Sequence, residues 1–122
     1  MENEKNVSLG MEEGLKKATA EMLVLYLLSM EDMHSAQIIQ NLRERSGNVL
    51  TMVSPYMLYY RLIERDCIVE AYKKIAPDGR RRQYYQITDK GREYLSGLIA
   101  AYRRFTGGVA LLLEEGGESH GE

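Results

Sequence analysis

The hydrophobic period of this chain changes twice, and the order of those changes restricts the fold more than composition does. Up to about Asp66 apolar residues recur at helical spacing; from Ile68 to Thr88 the chain turns to β-formers; beyond Thr88 helical spacing returns. Two short helices with a hairpin directly behind them is the winged helix-turn-helix order, more specific than either half alone. The predicted fold class is therefore mainly α with a small β-hairpin (α+β), a winged helix-turn-helix carrying a long C-terminal dimerisation helix.

A first helix is expected from Met11 to Met30, where Leu15, Ala18, Met22 and Tyr26 keep helical spacing. Met22–Leu28 is apolar on every side, whereas a surface helix shows a single stripe. That segment is expected to be covered twice, by its own domain and by something else. A second helix runs from Ser35 as N-cap to Arg45, with Ile38, Ile39 and Leu42 inward and Gly47 just past its end. Ser54-Pro55 is a start signal for the third, whose inward face is Leu58, Tyr59, Leu62 and Ile63. Ile68–Ile75 and Gln83–Thr88 read as strands joined through Pro77-Asp78-Gly79. Alternation turns Tyr85 and Ile87 one way and Arg82, Tyr84 and Gln86 the other.

Thr88 caps a last helix reaching about Leu113, with Gly107-Gly108 expected to weaken or kink it. Its stripe, Leu95, Leu98, Ile99, Tyr102, Phe105, Val109 and Leu112, outruns a core this small. The simplest partner is a second copy about a two-fold axis. The expected dimer interface is that stripe together with Met22 and Tyr26. The organisation is thus a disordered tail over 1–10, a winged domain over 11–88, a dimerisation helix over 89–114 and a disordered tail over 115–122.

Charge gives the first functional signal. From Ala71 to Tyr85 five cations stand against Asp78 alone, a local charge of +4, while the whole chain carries −2, leaving −6 elsewhere. A basic hairpin on an acidic protein suits a wing lying along phosphates, although a solvated tip has the same composition. The candidate DNA contacts are Lys73, Lys74, Arg80, Arg81, Arg82 and Tyr84 on the wing, with Ser54, Tyr56, Met57, Tyr60 and Arg61 on the outward face of the third helix. Hydroxyls and an Arg there suit phosphates and base edges. Tyr59, in line with Leu62, belongs to the core.

Other classes find less support. Cys67 is the only cysteine, and His34 beside Asp32 is too small a set for a metal, so no metal or cofactor is expected. No nucleophile, phosphate-loop or dinucleotide signature appears, which argues against an enzyme. Met22–Leu28 is too short to span a bilayer and the polar N-terminus has no signal-peptide core, so no membrane partner and a cytoplasmic location are expected. Met22, Tyr26, Met30, Tyr94 and Tyr102 outline a pocket for a small aromatic effector, though ordinary dimer packing is the simpler account of each.

The segments 15–47, 54–68 (SPYMLYYRLIERDCI) and 79–95 (GRRRQYYQITDKGREYL) resemble the PadR family of transcriptional regulators, over roughly residues 12–105. The resemblance implies a winged fold dimerised through its first and last helices. It also implies DNA contacts at Tyr56, Ser54 and Met57, with Arg80–Arg82 on the wing. Met33-His34-Ser35-Ala36 lacks the Tyr and Gly usual at the start of the second helix, Ala18 and Ala20 replace a Gly and a Leu in the first, and Asp66 stands where a Gly normally closes the third. The chain has no Trp, so the Trp-sandwich mode of binding flat aromatic drugs is not carried over. The expected function is a homodimeric repressor on a palindromic double-stranded operator, relieved by a small effector. The alternative keeps the winged dimer as a protein-interaction or ligand-sensing module.

Overall fold

The fold is built around the second half of its first helix. A computed structural model describes the backbone of residues 2–52 and 55–121 and the side chains of 10–52 and 55–114. The elements are α1 (Glu2–Met30), β1 (Met33–His34), α2 (Ser35–Arg45), α3 (Tyr56–Glu64), β2 (Ile68–Ile75), β3 (Arg81–Ile87) and α4 (Asp89–Gly121). The strands form one antiparallel sheet in the order β1-β3-β2.

α1 packs against α2, α3, β3 and α4. Val24, Leu25, Leu27 and Leu28 are buried with Ile38, Leu42, Leu58, Tyr59, Leu62, Ile68, Tyr85 and Ile87 in a single core. The chain's own elements thus cover most of this segment, while Tyr26 keeps 43% of its surface exposed. Met22 and Leu95, expected at a dimer interface, are only 8% and 7% exposed and belong to that core. The period of α4 is right; its first turns simply face inward before the helix leaves the domain.

Local chemistry explains the boundaries. His34, not Ser35, caps α2: its Nδ1 accepts from Gln37 N–H at 3.4 Å, and the Gln37 side chain accepts from His34 N–H at 3.1 Å. α2 and α3 end in the same way. Asn48 N–H reaches Arg43 C=O at 2.8 Å past Gly47 (φ +64°), and Cys67 N–H reaches Leu62 C=O at 2.8 Å past Asp66 (φ +59°). Asp at the second site adopts the left-handed conformation that a glycine would take more easily. Thr88 caps α4 as expected, accepting from Gly91 N–H at 2.9 Å. Gly91 has a second role, since a Cβ there would run into the Cys67 carbonyl and the Ile87 side chain.

Three features differ from the expectation. α1 starts at Glu2 and α4 continues to Gly121, so the backbone is helical over 2–10 and 115–121, where disordered tails are expected from the sequence. No proline interrupts either end. α4 is helical through Gly107-Gly108, whose cost of about 1 kcal/mol each against alanine does not suffice to end it. β1 is the third, because two residues are too few for a period to register.

Candidate nucleic-acid interface

α3 is nine residues long and splits cleanly. Leu58, Tyr59 and Leu62 face the core, while Tyr56, Met57 and Tyr60 are 55%, 68% and 64% exposed. Tyr59 is inward as expected: its ring lies 4.7 Å from Tyr85, its hydroxyl shares a 2.9 Å hydrogen bond with Ser35, and burial pushes its pKa up to about 12. Tyr56 stacks edge-on against Tyr59 at 5.8 Å, which orients an otherwise exposed ring. Pro55 occupies the cap position and α3 begins one residue later than expected; Ser54 lies outside the described residues.

The wing turns at Ala76–Gly79, where Gly79 N–H donates to Ala76 C=O at 2.8 Å and Gly79 takes φ +86°. Asp78 Oδ1 accepts from Arg80 N–H at 3.0 Å, and Asp78 Oδ2 pairs with the Arg82 guanidinium. That pairing, before any other cause, holds the Asp78 carboxyl below its usual range. Arg82 therefore braces the turn, whereas Lys73, Arg80 and Arg81 are exposed and have no ion-pair partner among the described residues.

Tyr84, expected to face a duplex, is only 4% exposed. Its ring stacks on Tyr72 at 5.2 Å, meets His34 edge-on at 5.2 Å and carries Lys74 Nζ 4.7 Å above it. Alternation does send Tyr84 away from the main core, but the side chains of His34 on β1 and of Tyr72 and Lys74 on β2 cover it there. Lys74 keeps its exposure while its ammonium leans on these rings. Burial first, and Arg82 second, hold His34 below its ordinary pKa. Asp32 closes this cluster, accepting from Tyr72 at 2.9 Å and Gln86 at 3.3 Å; the Tyr72 bond raises the Tyr72 pKa.

Arg61 is exposed but turned toward Glu21 of α1, its Nε 3.7 Å from a carboxylate oxygen. Sequence reading missed Glu21, Arg65 and Tyr94 as one cluster. The only trace was a single acid at the edge of the apolar run in α1.

Tyr102, Phe105, Val109 and Leu112 stand exposed along α4, Leu98 and Ile99 are half-buried, and Tyr26 is exposed on α1. A cleft of about 290 Å³ between α1 and α4 is lined by Leu15, Met22, Leu98, Tyr102 and Phe105 among others. Of the five residues expected to line one pocket, only Met22 and Tyr102 meet there. Tyr26 lines a separate groove against α2, Met30 accepts from Arg45, and Tyr94 is bound to Glu21 and Arg65. Among the described residues no helix is long and apolar enough to cross a membrane, and no three His, Cys, Asp or Glu side chains stand close enough to hold a metal.

Residues 24–97 match the transcriptional regulator PadR-like family. A PadR-like transcriptional regulator from Bacillus cereus is similar in structure, with a TM-score of 0.67 at 29% identity over 80% of this chain and 93% of that one. A PadR family transcriptional regulator from Eggerthella lenta gives a TM-score of 0.70 at 25% identity, over 89% and 90%. An uncharacterized protein of Lysinibacillus sphaericus is 28% identical over 96 residues, 77% of this chain and 87% of its own length. The family and its solved members are regulators, not enzymes, and they share the winged architecture. With more than half of its length inside the family match, this chain belongs to the PadR-like family of transcriptional regulators.

Proposed function

We propose that this protein is a homodimeric, sequence-specific DNA-binding repressor acting in the cytoplasm. The carrying observation is the joint presentation of Tyr56, Met57 and Tyr60 on α3 beside Lys73, Arg80 and Arg81 on the wing. A short helix with hydroxyl, aromatic and thioether groups outward fits a major groove, where base edges are readable. Free cations on an adjacent hairpin fit the flanking phosphates. A second copy held by Tyr26, Tyr102, Phe105, Val109 and Leu112 would present two such heads to a palindromic operator. Its half-sites would then lie about 10 bp apart, or a multiple of that. The apolar α1–α4 cleft suits a small aromatic effector whose binding relieves repression.

The test is a salt series of binding to a fluorescent duplex from the region upstream of the protein's own gene, with a scrambled duplex as control. Nanomolar, selective binding is expected. Arg80→Ala with Arg81→Ala should reduce the slope of log affinity against log salt by about 2, one for each phosphate left without its arginine. An unchanged slope would remove the wing from the mechanism. Equal binding to both duplexes at low salt, with and without candidate aromatic effectors, would leave a protein-interaction module instead.

A further inference from the structure

We propose that Glu21 is a positioning and specificity residue for DNA reading: it clamps the C-terminal end of α3 to α1 and α4 and holds Arg61 and Arg65 off the phosphate backbone. This rests on the DNA-binding reading above, but its basis is a separate cluster.

Glu21 lies well along α1, beside the buried segment, with its side chain 19% exposed. Its two carboxylate oxygens accept from Arg65 Nη1 at 3.2 and 3.3 Å, and Arg61 Nε stands 3.7 Å away. The Tyr94 hydroxyl donates to Glu21 Oε1 at 2.8 Å and accepts from Arg65 Nη1 at 2.9 Å, closing a triangle. The Arg65 guanidinium also sits 5.8 Å from the Tyr94 ring centroid. One carboxylate on α1, two guanidinium groups from α3 and its cap, and one hydroxyl on α4 therefore meet at a point.

An isolated surface ion pair contributes almost nothing, because water screens it and two long side chains lose freedom. This cluster differs in two respects. The carboxylate is mostly withdrawn from water, and Tyr94 bonds to both Glu21 and Arg65, so one geometry satisfies several groups together. α3 also needs such a fixture. It is about 13 Å long, and Pro55 at its N-cap position supplies no side-chain hydrogen bond. Its N-terminal half is held by packing and by the Ser35–Tyr59 hydrogen bond. Tyr56, Met57 and Tyr60 ride on this short lever, so a tilt at its C-terminal end moves all three.

Charge balance points the same way. Two guanidinium groups converge on one carboxylate, leaving a surplus of one positive charge beside the reading helix. Without Glu21 both arginines would be free to seek phosphate oxygens, contacts that carry no sequence information. Glu21 thus restrains non-specific affinity while fixing the helix that reads.

Two variants of the full-length protein separate this from simpler accounts. In Glu21→Gln, affinity for the operator duplex should fall about tenfold through loss of charge-assisted hydrogen bonds. Affinity for a scrambled duplex should rise, with a salt slope steeper by about 1 for each arginine released. In Tyr94→Phe, which removes only the hydroxyl, selectivity should fall about threefold with the salt slope unchanged. Glu21→Asp should stand between wild type and Glu21→Gln. Equal strengthening on both duplexes would reduce Glu21 to a local charge, and equal weakening would reduce it to a fold-stabilising residue; either overturns the proposal. Hydrogen exchange without DNA decides the clamp separately from the DNA reading. The α3 amides of Tyr94→Phe should exchange several-fold faster while β2 and β3 stay protected. Unchanged α3 exchange overturns the clamp, whatever the duplexes show. A wild type without operator preference would instead overturn the DNA reading.

Discussion

The two ends of α4 have similar apolar spacing and opposite surroundings. Near its start, Leu95 is buried in the main core, and Gly91 allows the helix to approach the Cys67 carbonyl closely. Further on, Phe105, Leu111, Leu112 and Leu113 are each more than 60% exposed. The same side chains that close a core in one half have nothing to close against in the other. Apolar periodicity thus states that a face will be covered without stating by what. Cover comes from within the chain only while neighbouring elements remain in reach.

The contrast is most vulnerable at its inner end. Gly91→Ala should cost about 3 kcal/mol or more, because the atom it would strike is backbone and cannot rotate away. Urea unfolding would register it as a lowered midpoint, and an unchanged midpoint would mean that α4 does not dock tightly on the Cys67 carbonyl. The outer end should respond in association instead. Phe105→Glu with Leu112→Glu is expected to weaken self-association at least about 100-fold, close to 3 kcal/mol, while the winged head stays folded. Sedimentation equilibrium with circular dichroism separates the two effects. A dimer that persists at micromolar concentration would remove this stripe from the interface.

The smallest effect lies inside the covered half, at the boundary between head and wing. Burial, then Arg82, holds His34 below its ordinary pKa of 6.5, with Asp78 opposing. The unfolded chain therefore takes up the proton first. The stabilising contribution of neutral His34 is complete above about pH 6.5 and is lost as pH falls from there toward the folded-state value. Protonation also removes the Nδ1 acceptor that caps α2. His34→Asn keeps a capping side chain and cannot titrate, so its unfolding midpoint should vary less than that of wild type between about pH 7 and 5. Parallel pH profiles for the two proteins would show that His34 is not the group responsible.

Element order was legible because it depends on local physics. Helical spacing, Thr88, Gly47 and Pro77-Asp78-Gly79 are short-range signals, and each stands where the structure uses it. So was the division of α3, since Tyr59 shares a face with Leu62 while Tyr56 and Tyr60 do not. What failed was any inference that needed to know a neighbour. Tyr84 points away from the main core, as alternation requires, yet His34, Tyr72 and Lys74 cover it. Arg82 and Arg61 are cations in the right places, yet Asp78 and Glu21 already hold them.

Read alone, the sequence was enough for the winged order of elements, the basic character of the hairpin and the surplus of apolar surface on the last helix. These follow from periods and charges within a few residues of one another. Folding in three dimensions was needed to decide that Met22 and Leu95 close the domain's own core, that His34 packs against Tyr84 of the wing, and that Glu21, Arg61, Arg65 and Tyr94 meet. These groups are separated by up to 73 residues along the chain. Burial and pairing depend on which surfaces come together in space, and no local period encodes that distance.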